Sequence, residues 1–367
     1  FKQKTAYEIM PSLVGSEMCI RDRERGEAML DITWMEIAGE TIKINAIVYL
    51  LWCIWVGWIF STVGAFGGIM AGVGHISILG IGAWAKKLKG KSINIGMYSD
   101  AGKYLTDHIR FSNTAITWLN SLSSTINWYT QKRLVWPAAI AMGLGMVFGA
   151  QVAVWGTGGK LGVALYKGLF GIVTIIVSFY MFYQITPRAK ASKSKGREAA
   201  ARFRERVEEL RKAGKLHELE GITNVKYSVG KVEFDFFGEH FVAKNYLPFF
   251  YGLLIGFVAA LVGIGGGFAI VPFFVAIGWP MYIAPAVSAL TVFLNQCSAL
   301  AGWFARGVQF VWPIVIGWVG ILIGSYIGPR TQKYLPMDFL FGMFGALAFY
   351  VGFRYIMAGF FGIKLPP

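Results

Sequence analysis

Long uncharged stretches alternate along this chain with short basic ones. Ile44 to Ala85 is 42 residues without a formal charge, and Asn245 to Ala305 is 61. Each begins as an apolar run and is interrupted by glycines, at Gly64 to Gly74 and at Gly263 to Gly267. The pattern predicts two helices on either side of each interruption, about 45–62 and 67–84, then about 246–262 and 267–278. As one straight helix the second pair would span ~50 Å, against a hydrocarbon core of ~30 Å, whereas two full crossings need about 40 residues. A re-entrant hairpin of two short helices fits these lengths. A single crossing with an unwound middle is the other form they allow.

The next predicted helix in each half is unusually polar. Residues 110–130 hold Ser112, Asn113, Thr114, Thr117, Asn120, Ser121 and further Ser, Thr and Asn residues. Residues 284–304 keep Ser288, Thr291, Asn295 and Ser298 at i, i+3, i+7 and i+10, one helical stripe. Such faces line a cavity or bond to neighbouring helices and do not face lipid. Ordinary small-residue packing between helices is the lesser alternative for the serines. Plainly apolar spans follow, about 134–155 and 162–185, then 311–329 and 338–358. Their glycines, Gly143, Gly145, Gly149, Gly317, Gly320 and Gly324, suit close helix packing.

Between the halves the pattern changes. Residues 197–213 predict a helix with Phe203, Val207 and Leu210 on one stripe and a Glu208–Lys212 pair at i, i+4. Val225, Tyr227 and Val229, then Val232, Phe234 and Phe236, alternate as short strands around Gly230 and Gly238. A small α+β unit over 186–244 is expected to dock on the membrane part, because so short a segment builds a marginal core alone. At the other margin, 1–30 reads as a non-native or disordered leader with native starts at Met29 or Met35. Asp31 to Glu40 reads as a short amphipathic lead-in with Trp34 at the interface. Lys86 to Asp107 reads as an inserted lysine-rich loop.

The two glycine clusters form a matched pair. Gly57 and Gly64 to Gly68 repeat Gly256 and Gly263 to Gly267 at an offset of 199 residues, and Leu119-Asn120 repeats Leu294-Asn295 at 175. Trp136-Pro137 repeats Trp312-Pro313 at 176. Ordered pairs of landmarks indicate an internal duplication, here of 31–185 and 245–367, around interrupted helices. Glycine costs roughly 0.5–1 kcal/mol in a helix interior, so the clusters mark unwound backbone lining a cavity or buried in protein. A nucleotide loop would need a preceding strand in a βαβ unit, and the flanks are long apolar runs. Freed N–H groups beside helix N-termini make an anion site.

Composition narrows the chemistry. At 55% hydrophobic and 15% charged, the 367 residues describe a polytopic all-α membrane protein. The net charge of +15 sits in loops beside apolar spans, so the lipid bilayer and not nucleic acid is the basic residues' partner. Cys19, Cys53 and Cys297 give no disulfide framework and no metal spacing, and no cofactor or nucleophile–base pairing is evident. The candidate core between Lys43 and Lys86, Arg110 and Lys160, and Asn245 and Arg330 contains no carboxylate, so the usual intramembrane proton carrier is missing from it. His75 is left as the proton-coupling candidate, although packing explains it equally. An anion bound by neutral dipoles remains, with Gly64, Gly67, Gly68, Thr117, Asn120, Gly263, Gly265, Gly266, Gly267, Ser288, Thr291 and Asn295 as its candidate contacts.

The glycine motif ending in Pro272, the polar helix after it, the Trp-Pro helix start and the duplication resemble the TauE/SafE family. The resemblance covers roughly 45–185 and 246–358. The first half departs from it: Phe66 replaces a glycine and Val73 stands where Pro272 does. The resemblance implies a membrane permease for sulfite, sulfonates or related small anions, in the cell membrane, with a homo-oligomer possible. A passive anion channel and a non-transporting membrane assembly subunit stay open beside it. Arg188, Lys190, Lys193, Lys195 and Arg197 mark 186–244 as cytoplasmic, which leaves the lysines after Ala85 outside, against the positive-inside rule.

Overall fold

The computed structural model describes residues 30–63, 66–186, 194–215, 218–280, 282–332, 337–363 and 365. The leader up to Met29, and Gly64, lie outside the described residues. The chain begins with a hairpin of β1 (Asp31–Ile37) and β2 (Glu40–Asn45), turned at Ala38 and Gly39, which have φ of 51° and 75°. This corrects the amphipathic lead-in. Trp34, Ile37, Ile42 and Ile44 are buried at strand spacing, and Trp34 is 1% exposed rather than interfacial.

Helix α1 (Ala46–Val63) leads to the first glycine break, and α2 (Gly67–Val73) continues through a π-turn over Gly74–Ile78. Gly80, left-handed at φ 70°, then bends the chain by 53° into α3 (Ile81–Lys87). The expected loop from Lys86 to Asp107 is instead a hairpin, β3 (Ser92–Ile95) and β4 (Tyr98–Asp100), followed at once by α4 (Ala101–Thr130). The polar helix thus begins nine residues before the expected start. Asp100 accounts for that start, its carboxylate accepting the Lys103 N–H at 2.9 Å as an N-cap. The half closes with α5 (Trp136–Thr157) and α6 (Val163–Gln184).

Helix α7 (Ser194–Lys212) and a meander of β5 (Thr223–Tyr227), β6 (Lys231–Phe236) and β7 (Glu239–Lys244) occupy the middle of the chain. The second half contains α8 (Tyr246–Val262), α9 (Gly267–Ala276), α10 (Ala284–Ala305), α11 (Pro313–Gln332) and α12 (Met337–Phe360). Among the described residues four helices are long and apolar enough to cross a membrane. They are Trp136–Thr157, Val163–Gln184, Ala284–Ala305 and Phe339–Phe360, with the bent pair 67–87 as a fifth.

Both glycine breaks fold the chain back on itself. Trp52 Nε1 on α1 donates to the Met70 carbonyl at 3.0 Å, and Tyr251 on α8 stacks on Phe273 of α9 with centroids 4.4 Å apart. In each pair the second helix folds back on the first, and the next long helix, α4 or α10, runs in the same direction as the helix before the break. Glycine contacts then fix the rest of the packing. A Cβ at Gly57 would strike the backbone of Ile321, and one at Gly256 the backbone of Met146. Gly324 is likewise seated on Ile54 and Gly149 on Leu253, then Gly320 on Leu50 and Gly145 on Phe249. In every case the two contacts are related by the offsets of 199 and 175 residues found in the sequence.

The matched helices α1 and α11, like α8 and α5, run parallel. The others pair antiparallel across the halves: Phe111 meets Phe304 and Trp118 meets Phe293 between α4 and α10, while Gly168 meets Gly359 and Ser178 meets Gly345 between α6 and α12. One end of the bundle carries the middle unit. Ile222 N–H bonds to the Lys132 carbonyl at 2.9 Å, Phe234 packs on Trp279 and Phe203 on Tyr282. The stripe of Phe203, Val207 and Leu210 turns inward, and Lys212 meets Glu208 at 3.1 Å. The opposite end carries the loops at 88–100, 158–162 and 306–312, where the Met97 N–H bonds to the Arg306 carbonyl at 3.0 Å.

Two expectations follow. Single cysteines at the exposed Lys132, just past α4, and Gln309, just past α10, will react with a membrane-impermeant thiol reagent from opposite sides of the membrane; labelling of both from one side would refute the antiparallel packing of α4 and α10. Gly256→Leu will lower the melting temperature of the purified protein, because overpacking of this kind costs about 1–3 kcal/mol, with α5 and α8 forced apart.

Candidate functional site

The second glycine turn is built from left-handed backbone. Gly263, Gly265 and Gly266 have φ of 75°, 86° and 77°, a region that side chains with a Cβ rarely enter. Gly263 N–H closes α8 on the Ala259 carbonyl at 2.7 Å, and Gly266 caps α9. The N–H groups of Gly265, Gly266, Gly267 and Phe268 have no acceptor among the described residues, although all four residues are buried. Buried unpaired backbone donors are uncommon and normally hold water or a ligand. The first turn comes directly against this one. A Cβ at Gly68 would coincide with the Ile264 carbonyl, so only glycine lets the two re-entrant tips touch. Gly67 opens α2 against Phe60.

Helices α4 and α10 cross beside the joined tips. Gly265 lies against Val292 and Gln296, and Gly263 against Arg110 and Asn113. The Gln296 amide donates to the Thr117 hydroxyl in a short contact, and Asn295 Nδ2 donates to Gln296 Oε1 at 3.1 Å. Asn120 and Asn295 are both fully buried. Among the described residues neither amide atom of Asn120 has a partner, nor do Asn295 Oδ1 and the Ser288 hydroxyl. Thr291 and Ser298 turn to α5 instead, donating to the Ala139 carbonyl at 3.2 Å and the Val147 carbonyl at 2.9 Å. The stripe therefore divides between packing and open polar atoms.

His75 sits on the π-turn with every ring nitrogen engaged. Protonated on Nδ1 it donates to Asn113 Oδ1 at 2.6 Å and to the Ala71 carbonyl at 3.0 Å, while Nε2 accepts the Tyr49 hydroxyl at 3.2 Å. Asn113 continues to the Tyr166 hydroxyl, which donates to the Val262 carbonyl at 2.9 Å. This chain ties the first break to the second. Trp34 lies between His75 and His108, with ring centroids 5.7 and 5.8 Å away.

The structure also overturns the expectation of a core without carboxylates. Because α4 starts at Ala101, Asp107 and Arg110 lie inside the bundle, both side chains wholly buried and paired at 2.8 Å. The second carboxylate oxygen of Asp107 accepts the Gly159 N–H at 2.6 Å. Arg110 also donates to Thr157 Oγ1 at 2.8 Å and to the Ala260 carbonyl at 3.2 Å, with its guanidinium 4.4 Å from the Trp303 ring centroid. Asn113, Gln296, Tyr166, Asp107 and Arg110 were absent from the sequence-derived contacts. The Asp100 cap was the available signal for the last two.

Outside the bundle core, Lys87 and Lys91 both bond to Glu40, and these bonds hold its carboxyl below the ordinary carboxylate range. Among the described residues no group of three His, Cys, Asp or Glu side chains gathers to hold a metal ion. What the centre offers an incoming molecule is neutral: backbone donors, amides and hydroxyls.

Comparison with known proteins agrees with this arrangement. The family described as Sulfite exporter TauE/SafE matches residues 49–355, which span both re-entrant hairpins and all the long helices. No curated protein and no solved structure matches the chain. On the family match and its apolar helices, the chain is a multi-pass membrane protein belonging to the TauE/SafE family, transporters of sulfur-related anions.

Proposed function

We propose that the protein is a permease that binds a small sulfur oxyanion, sulfite or a sulfonate, where the two glycine tips meet. The observation that carries this reading is the set of buried N–H groups of Gly265 to Phe268, which have no acceptor among the described residues, beside the contact of Gly68 with Ile264. A helix N-terminus carries about half a positive charge, so α9 attracts an oxyanion without a fixed counter-charge at the tips. Asn120, Asn295, Ser288 and Thr117 supply the remaining polar contacts. His75, through Asn113 and Tyr166, is the candidate link between a proton and the anion, because a change in its ring alters a hydrogen-bond chain that ends at the second tip.

The same reading takes the two halves as inverted repeats of 31–185 and 245–367. It rests on the symmetric glycine contacts and on the antiparallel pairing of α4 with α10 and of α6 with α12. Residues 186–244 are the cytoplasmic unit, on the basic residues just after α6, and the membrane is the cell membrane. Alternation of access would then be a rocking of one half's hairpin and helices against the other's about the shared tips.

Proteoliposome uptake of labelled sulfite, methanesulfonate, thiosulfate and acetate, with and without a pH gradient, tests the function. Saturable uptake of the sulfur anions is expected, and flux linear in concentration would indicate a channel. Gly266→Val and Gly68→Ala will insert and fold yet lose uptake, the first through its φ and the second by parting the tips. In wild type, sulfite will slow amide exchange over 261–269, and an unchanged pattern there would place the anion elsewhere. Asn120→Leu and Asn295→Leu will each lower uptake by about tenfold or more, the scale of removing one polar partner from a charged ligand, with little change in expression.

A further inference from the structure

The end of the bundle opposite the middle unit holds a charged cluster distinct from the neutral tips. Arg110 reaches it from α4 and Arg306 from the end of α10. Arg306 is 8% exposed, donates to the Gly158 carbonyl at 2.7 Å and lies 5.6 Å from the Tyr98 ring centroid. Both arginines thus converge on the turn at Thr157 to Gly159, which also binds Asp107 through the Gly159 N–H. Two guanidinium charges face one carboxylate.

The donors outnumber the acceptors as well. Arg110 Nε, Arg306 Nε and Trp303 Nε1 are buried without a partner among the described residues, and the Tyr98 hydroxyl lies beside Arg306 and Asp107, while both oxygens of Asp107 accept hydrogen bonds. Unpaired donors on buried cations are costly unless an acceptor occupies the space between them. The cluster also borders the second glycine turn. The Arg110 carbonyl and Cα lie 3.0 and 3.1 Å from where a Gly263 Cβ would stand, and its guanidinium holds the Ala260 carbonyl.

We propose that Arg110, Arg306, Tyr98 and Trp303 form a second anion site, for a small oxyanion such as sulfate or a sulfonate group, at the end of the bundle opposite 194–245. The inference rests on the reading of the chain as an anion permease, and gives the anion a stop between the tips and that face of the membrane. Asp107 is its built-in competitor. It neutralises Arg110 when the site is empty and drives the anion off again by like-charge repulsion. A site of arginines alone would hold its load too tightly for turnover.

Isothermal titration and amide exchange on the purified full chain with sulfate and with methanesulfonate test the site. Neither anion titrates near neutrality. In wild type, millimolar anion will slow exchange over 155–162, and it will do so equally in Gly266→Val, where exchange over 261–269 no longer responds. That contrast separates this site from the tips, so the failure of one leaves the other standing. Arg306→Gln will raise the half-saturating concentration about tenfold and Asp107→Asn will lower it about tenfold, the scale of adding or removing one charge–charge interaction. Exchange over 155–162 that ignores the anion overturns the proposal, whether or not the variants fold. A wild-type response accompanied by unchanged affinity in folded Arg306→Gln and Asp107→Asn overturns it too.

Discussion

The contact of Gly68 with the Ile264 carbonyl is the constraint around which this bundle is arranged. Backbone inside a bilayer must satisfy its polar groups within the protein, and a chain that turns back on itself at a glycine break cannot do so alone. Here each hairpin tip is closed by the other and by the polar faces of α4 and α10. The left-handed glycines at 263, 265 and 266 let α8 end and α9 begin within a few residues, and leave intervening donors without an acceptor among the described residues. No side chain fits at Gly68, so the tips meet backbone to backbone. Their separation is set by van der Waals contact and not by a flexible group.

The helices around the tips are held by the same device repeated. Gly57, Gly320 and Gly324 seat α1 against α11, and Gly145, Gly149 and Gly256 seat α5 against α8. In a lipid environment apolar burial does not separate helix from helix, so close approach through small residues supplies the packing energy. Both pairs bring a helix of one half onto a helix of the other. Neither half therefore makes a complete bundle by itself, and relative motion of the halves must act on all these contacts together.

Charge is distributed to match. The centre offers dipoles, while the buried Asp107–Arg110 pair lies about two turns of α4 from Thr117, towards the 158–162 loop. A buried pair of this kind is weak evidence for stability, because the cost of dehydrating both groups offsets much of their attraction. Its additional bonds to Gly159, Thr157 and Ala260 tie α4, the end of α5 and the end of α8 into one cluster beneath the second turn. Trp34 and the hairpin that carries it cover the neighbouring His75 and His108 from the same end.

The sequence by itself determined which segments are apolar, where they break and which landmarks recur, because hydropathy and glycine act locally along the chain. Helix bounds at 46–63, 246–262 and 284–305 lie within two residues of expectation. The middle unit's helix and two of its strands were legible from period and turn residues, while β7 was not named and Val229 lies beyond the end of β5. What sequence left open was whether the 33 residues from Tyr246 to Gly278 cross once or turn back, since length alone permits both. The stacking of Tyr251 on Phe273 shows that α9 folds back on α8. The hairpin at 31–45 was misread because its alternation is short and Trp34 suits an interface as well as a core. The start of α4 was misread because Lys86 to Asp107 is rich in charge, and charge near an apolar span resembles a loop. Only tertiary structure could show that Asp107 and Arg110 neutralise each other in the bundle, that Thr291 and Ser298 are spent on α5, and that Gly68 meets Ile264. Each of these depends on a partner more than a helix away in sequence or on the face a helix turns inward, and neither is written in local composition.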